Sequence, residues 1–208
     1  MADVLVVGSG TAGSGTEELY RSPGITITGI DVYESSSVNC IADAHYIPLP
    51  DACIDGVWIQ AVLEHVVEPS VVVAEIHRVL KTNGLIYAET PFMQQVHEGA
   101  FDFTRFTVLG HRYLFRDFEM IDCGGNKGPA IALAWSIRYF FWALLRSATM
   151  ARFIGLLSTF ALRPFEFLTD RRALHDASSG VFFLGKKSNR RIKHGDLQAL
   201  YEGLQKRR

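Results

Sequence analysis

The sequence predicts a doubly wound α/β fold, and three observations carry that prediction. Short apolar runs rich in β-branched residues recur, each ending in glycine or an acid. Segments of helical periodicity separate them. A glycine turn, Gly8-Ser9-Gly10, follows the first run directly. Strands alternating with helices imply a largely parallel sheet with right-handed crossovers, so the strands' carboxyl ends share one edge. Such sheets bind ligands at that edge, where the strand order reverses.

Val4 to Val7 is continuously apolar, as expected of a strand covered on both faces. Gly8 to Gly13 reads as a loop. Ser14 with Glu17 three residues on forms a capping box, so a helix is expected from there to about Ser22-Pro23. Thr26 to Ile30 is a second strand, closed by Asp31, and Cys40-Ile41 a short third before Asp43. Asp55 to Ile59 is a fourth. Pro69 opens a helix with Val72, Ile76, Val79 and Leu80 on one face, which Asn83-Gly84 is expected to stop. Leu85 to Ala88, Phe118 to Ile121 and Val181 to Leu184 supply the remaining strands, and a further helix is expected from Thr107.

At 208 residues the chain suits one domain with an appendage. With 48% apolar and 21% charged residues, the composition is that of a folded protein and excludes intrinsic disorder. The net charge of -1 argues against a wholesale nucleic-acid binder. Cys40, Cys53 and Cys123 are far apart and odd in number, which suits a reducing, cytoplasmic compartment. They show no metal-ligand spacing, and no metal site is read from the sequence. The opening MADVLVVGSG lacks the basic segment and long apolar run of a signal peptide.

Four blocks, VLVVGSGTAG (4–13), GIDV (29–32), ADAHYIPLPDACIDGVWIQAVLEHV (42–66) and AEIHRVLKTNGLIYAETP (74–91), resemble the class I S-adenosylmethionine-dependent methyltransferases of the type 11 kind. The resemblance covers about residues 3–125 and the closing strand at 181–185. It implies a seven-stranded Rossmann-like methyltransferase sheet of order 3-2-1-4-5-7-6 with an antiparallel last strand. Residues 130–170 are expected to form a helical apolar insertion before that strand. The domain is thus expected over 1–125 with 180–186, and a basic tail over 187–208.

The same resemblance implies S-adenosyl-L-methionine as cofactor. Gly8, Ser9 and Gly10 would face its methionine part, and Asp31 would accept its ribose hydroxyls, with Val32 packing on adenine. Asp43 and Ala44 would meet the adenine edge, and Gln60 would approach the methionine moiety through its backbone. Glu64 and His65 would border the active cleft. Val6 stands where the family has an acid for the methionine ammonium. The first strand begins near residue 3, so a more open site, or another covering element, is expected.

Residues 89–115 are the substrate-side candidates. His97 and His65 are the catalytic candidates: His97, with a pKa near neutrality, suits proton removal from an acceptor hydroxyl or amine. Arg105 suits a clamp on an anionic substrate, or an ion pair with Asp102 that fixes the loop. Residues 130–168 are apolar and aromatic, interrupted by Arg138, Arg146, Arg152 and Arg163. On one continuous helix, the first three of these would share about a 120° sector at 3.6 residues per turn. That composition fits a helix in a membrane interface, or a hairpin packed as a lid or dimer face. Eight basic against two acidic side chains in 186–208 would reinforce contact with anionic lipid. The expectation is methyl transfer to a small-molecule or lipid-linked acceptor, or a methyltransferase-like fold that binds without catalysis. The expected partners are that acceptor and a membrane surface or second copy through 130–168, without nucleic acid.

Overall fold

The computed structural model describes residues 1–11, 13 and 15–206. Seven strands, β1 (Ala2–Val7), β2 (Ile25–Asp31), β3 (Cys40–Ile41), β4 (Ile54–Gln60), β5 (Leu80–Pro91), β6 (Phe118–Gly125) and β7 (Gly180–Lys187), form one sheet. Its order is β3-β2-β1-β4-β5-β7-β6, as expected. β1 to β5 pair in parallel, whereas β7 runs antiparallel to both β5 and β6. The order reverses between β1 and β4, so the crevice at their carboxyl ends is the place for a ligand.

The first helix, α1 (Thr16–Arg21), opens on Gly15 in the left-handed region, with Thr16 Oγ1 donating to Gly13 O at 2.7 Å. The capping residue expected at Ser14 lies outside the described residues. Helix α2 (Pro69–Val79) begins at its proline as expected but ends at Val79, before Asn83-Gly84. Leu80 already turns extended and starts β5, because its buried side chain joins the core under the sheet. Asn83, at φ +63°, sits instead inside an irregular stretch of that strand. Helix α3 (Val108–Leu114) is capped by Thr107, whose side chain accepts from Gly110 N at 3.1 Å. The core packs α2 and α3 on the sheet through Ile76, Leu80, Phe115, Phe118 and Phe183.

Between β6 and β7 the chain forms an arm: α4 (Pro129–Leu145), α5 (Ala148–Leu162), a 3-10 turn over Arg163–Leu168 and α6 (Ala173–Ala177). The insertion therefore runs past residue 170. The arm is a hairpin of two helices, the second of the two arrangements expected for it: Arg146 takes φ +53° and Ser147 caps α5. Arg138 and Arg152 consequently lie on different helices, and the shared arginine sector does not form. Ala151 and Gly155 let the two helices approach; a Cβ on Gly155 would fall 2.9 Å from Arg138 Cβ. Among the described residues, no helix is long and apolar enough to cross a membrane. The basic tail is partly docked on the domain. Ile192 N donates to Arg116 O, α7 (His194–Ala199) follows, and Tyr201 Oη and Leu204 N bond Asp176.

Candidate functional site

The glycine turn is shaped by what it must clear. Gly8 sits at φ +78°, and a Cβ there would lie 2.2 Å from Val62 Cγ2. Gly10 donates its N–H to Asp31 Oδ2 at 2.8 Å; a Cβ on Gly10 would approach the same oxygen to 2.7 Å. Only glycine brings the backbone this close to a carboxylate. Ser9 is buried, and its N–H, like that of Gly8, donates to Ile30 O, so it fastens the loop to β2. Asp31 Oδ1 accepts from Tyr33 N at 3.0 Å. A carboxylate offers about four acceptor sites, so Asp31 holds the loop and keeps capacity for hydroxyl donors. The exposed Val32 lies beside it.

Asp43 forms a local turn, its Oδ1 accepting from the His45 N–H at 2.9 Å and from Nδ1 of the same residue at 2.6 Å. These bonds hold its carboxyl below the usual range. The next residue, Ala44, is buried in the core. Gln60 ends β4 and donates from Nε2 to Glu89 Oε2 at 2.6 Å, while Tyr87 Oη donates to Glu89 Oε1 at 2.6 Å. Burial, then the bond to Glu89, raises the Tyr87 hydroxyl pKa. Val6 is buried and lines a small crevice of about 10 Å³ with Gly8, Gly13 and Gln60.

A larger cleft of about 190 Å³ opens beside Gln60, at the carboxyl ends of β4 and β5, and reaches Glu64, Glu89, His97, Lys127 and Trp135. The arm forms one wall: Trp135 points into the cleft, Tyr139 Oη donates to Val96 O, and Gln95 Nε2 donates to Ser136 Oγ at 3.0 Å. The base of α4 thus supplies a covering element.

The loop after β5 folds back onto the segment after β4. Phe103 N donates to Glu64 O at 2.8 Å. This brings His97 beside Glu64 and His65, residues 33 and 32 positions away; the two imidazole centroids are 4.9 Å apart. The Glu64 side chain is 1% exposed, and burial pushes its carboxyl up to about 7. Burial, then His65, lowers the pKa of His97. Arg105 does not serve as a substrate clamp. Nη1 and Nη2 bond Asp102, and its remaining bonds go to the carbonyls of Gln94, Gln95 and Thr104. The pair fixes the loop and holds the Asp102 carboxyl at about 2. Nothing in the local pattern marked Glu64 as more than a cleft border; its role depends on burial by a loop distant in sequence.

Residues 5–88 match the model of the family described as "Methyltransferase domain". No curated protein matches the sequence. Solved structures do match the fold. A SAM-dependent methyltransferase from Archaeoglobus fulgidus aligns at TM-score 0.58 and 16% identity, covering 89% of this chain and 86% of that one. A phosphoethanolamine N-methyltransferase 2 from Haemonchus contortus, in complex with S-adenosyl-L-methionine, aligns at 0.57 and 13%, covering 89% and 48%. A [4+2]-cyclase, SpnF, aligns at 0.56 and 20%, covering 89% and 75%.

Proposed function

We propose, on the premise that this chain carries a class I S-adenosylmethionine-dependent methyltransferase domain, that it transfers a methyl group to a small-molecule or lipid-linked acceptor held in the cleft beneath Trp135. The observation that carries this reading is the continuity of the site. Gln60 lines both the crevice at the glycine turn and the cleft that holds Glu64, His97 and Trp135. Cofactor and acceptor would therefore share a wall.

The cofactor supplies an electrophilic methyl group on a sulfonium. Asp31 would accept the ribose hydroxyls, Val32 would cover adenine, and Asp43 with Ala44 would meet its edge. Gly8, Ser9 and Gly10 would pass backbone along the methionine part. Glu89, already oriented by Tyr87 and Gln60, is a carboxylate available for the ammonium in place of the acid missing at Val6. Transfer from a sulfonium rests chiefly on alignment and desolvation, which Trp135 and the loop at 94–105 would provide. His97, on the cleft wall with His65 behind it, would face the acceptor.

Calorimetric titration with S-adenosylmethionine and S-adenosylhomocysteine tests the reading. Micromolar binding that Asp31→Ala weakens is expected; no binding by the folded protein overturns it. The second reading, a methyltransferase-like fold that binds without catalysis, draws on the burial of Val6 at the position of the usual acid. It predicts cofactor binding without turnover. The outer face of the arm supports a contact outside the monomer, at a lipid surface or with a second copy.

A further inference from the structure

We propose that Glu64, His65 and His97 form a site for one divalent transition-metal cation, of the zinc or cobalt class, on the wall of the cleft. One ligand atom from each residue lies within 4.8 Å of the others. His65 Nε2 is 3.6 Å and His97 Nε2 is 3.9 Å from Glu64 Oε1. A tetrahedral site with bonds of about 2.0–2.1 Å sets its ligands roughly 3.4 Å apart. These two separations are therefore within about half an ångström of a bound set.

The outer partners orient both imidazoles for this role. His65 Nδ1 lies 2.7 Å from Phe101 O, which can only accept, so Nδ1 carries the proton and Nε2 keeps its lone pair. His97 Nδ1 lies 3.2 Å from Asp102 Oδ2, so a carboxylate that Arg105 also pairs stands behind the ring while Nε2 faces Glu64. Metal-ligating histidines have this arrangement: the far nitrogen donates to a carbonyl or carboxylate and the near one faces the ion.

Glu64 is the independent observation. Its side chain is 1% exposed, and neither oxygen accepts a hydrogen bond of normal geometry. Three electron-pair donors thus converge with no donor among them. The neighbouring Arg105 is committed to Asp102 and three carbonyls. A cation would satisfy all three at once. Two imidazoles and one carboxylate suit zinc, cobalt or iron(II) better than calcium or magnesium, which favour oxygen. Three protein ligands leave a position open, and Glu64 and His97 both line the cleft. An acceptor oxygen would take that position, making His65 and His97 ligands and not bases; this last clause alone rests on the methyl-transfer reading.

The test titrates the full-length, chelator-treated protein with cobalt(II), followed by visible absorption, and with zinc(II), followed by calorimetry. One equivalent is expected, with the intense absorption of a low-coordinate site, displaced by zinc. Glu64→Gln, His65→Gln and His97→Gln should each weaken binding at least tenfold, with folding checked by circular dichroism. His194→Gln, outside the cleft, should bind as the parent does. If Glu64→Gln does not fold, the two histidine variants decide. A parent protein without stoichiometric cobalt binding overturns the site, as does binding that survives all cleft variants or is lost in His194→Gln. S-adenosylmethionine titration of the same sample separates the two readings: cofactor binding without cobalt binding defeats the cation site and leaves methyl transfer standing.

Discussion

Phe115 and Phe183 of the sheet domain stack at 4.7 Å and expose no surface, whereas Phe160 and Phe167 of the arm are 82% and 91% exposed. The two regions use the same apolar residue types. In the domain, α2 and α3 find a sheet face, and Ile76 and Leu114 disappear into the core with Leu80 and Phe118 of the strands. In the arm, α4 and α5 meet chiefly each other, through small residues such as Ala151 and Gly155, and that seam is too narrow to consume the large side chains. Phe140, Phe153, Leu156, Leu157 and Leu168 are left outside with them. Phe153, Leu156, Leu157 and Phe160 recur at i, i+3, i+4 and i+7 on one face of α5, and a contiguous exposed apolar face of this kind marks a contact site. Hydrophobicity reports which side chains seek cover, but not whether the fold supplies it.

The sharpest way to break this contrast is to truncate one aromatic in each region. Phe183→Ala should cost about 3–5 kcal/mol, because it opens a cavity against Phe115. Phe160→Ala should change stability by less than about 0.5 kcal/mol. Denaturant unfolding of both variants decides; equal losses would mean that the arm's outer face is core.

Ionisable groups extend the contrast. The arm keeps Arg146 and Arg152 in solvent, whereas the domain buries His111 between Phe106 and Phe115 with neither ring nitrogen hydrogen-bonded. Burial lowers its pKa to about 3. The unfolded chain gains a proton near pH 6.5 that the folded one refuses, so the histidine's contribution is full above 6.5 and falls as pH drops towards 3. The slope is at most about 1.4 kcal/mol per pH unit. At pH 5, His111→Leu should recover up to about 2 kcal/mol relative to the parent. Unfolding curves at pH 7.5 and pH 5 test this; parallel acid losses in both proteins would show that His111 is protonated in place.

Cofactor binding should follow the same division. Asp31→Ala removes an acceptor of charge-assisted bonds, each worth roughly 1.5–3 kcal/mol, and should weaken S-adenosylmethionine more than tenfold. Asp43→Ala should do less, since Oδ1 is already held by His45. Phe153→Ser on the arm should do nothing. Calorimetry measures all three, and unchanged affinity in a folded Asp31→Ala protein would remove the ribose assignment.

The smallest effect on the isolated protein is expected from Phe160→Ser with Phe167→Ser, which should leave stability unchanged but abolish contacts outside the monomer. Co-sedimentation with anionic vesicles, beside light scattering for mass, reads the contact. Lipid binding that falls with salt and with Arg146→Glu identifies a membrane surface, and a concentration-dependent dimer identifies self-association. A monomer that ignores vesicles would show that the arm serves only as the cleft's wall.

Much of this molecule is set by local pattern. Strand runs such as Val4–Val7, the turn at Gly8-Ser9-Gly10 and the acids closing β2 and β3 are legible because period, turn chemistry and strand ends are short-range properties. The sheet order followed from the family resemblance of the same blocks. What local pattern could not determine is which distant groups meet. The end of α2 moved from Asn83 to Val79 because burial of Leu80 outweighed a stop signal. Arg105 was claimed by Asp102, and the arm folded at Arg146 so that its arginines parted. Glu64 became a buried carboxylate facing two imidazoles only when the loop carrying His97 and Asp102 closed over it. Burial and charge pairing depend on the neighbours that the tertiary fold assembles, and residues some thirty positions apart carry no local sign that they will become neighbours.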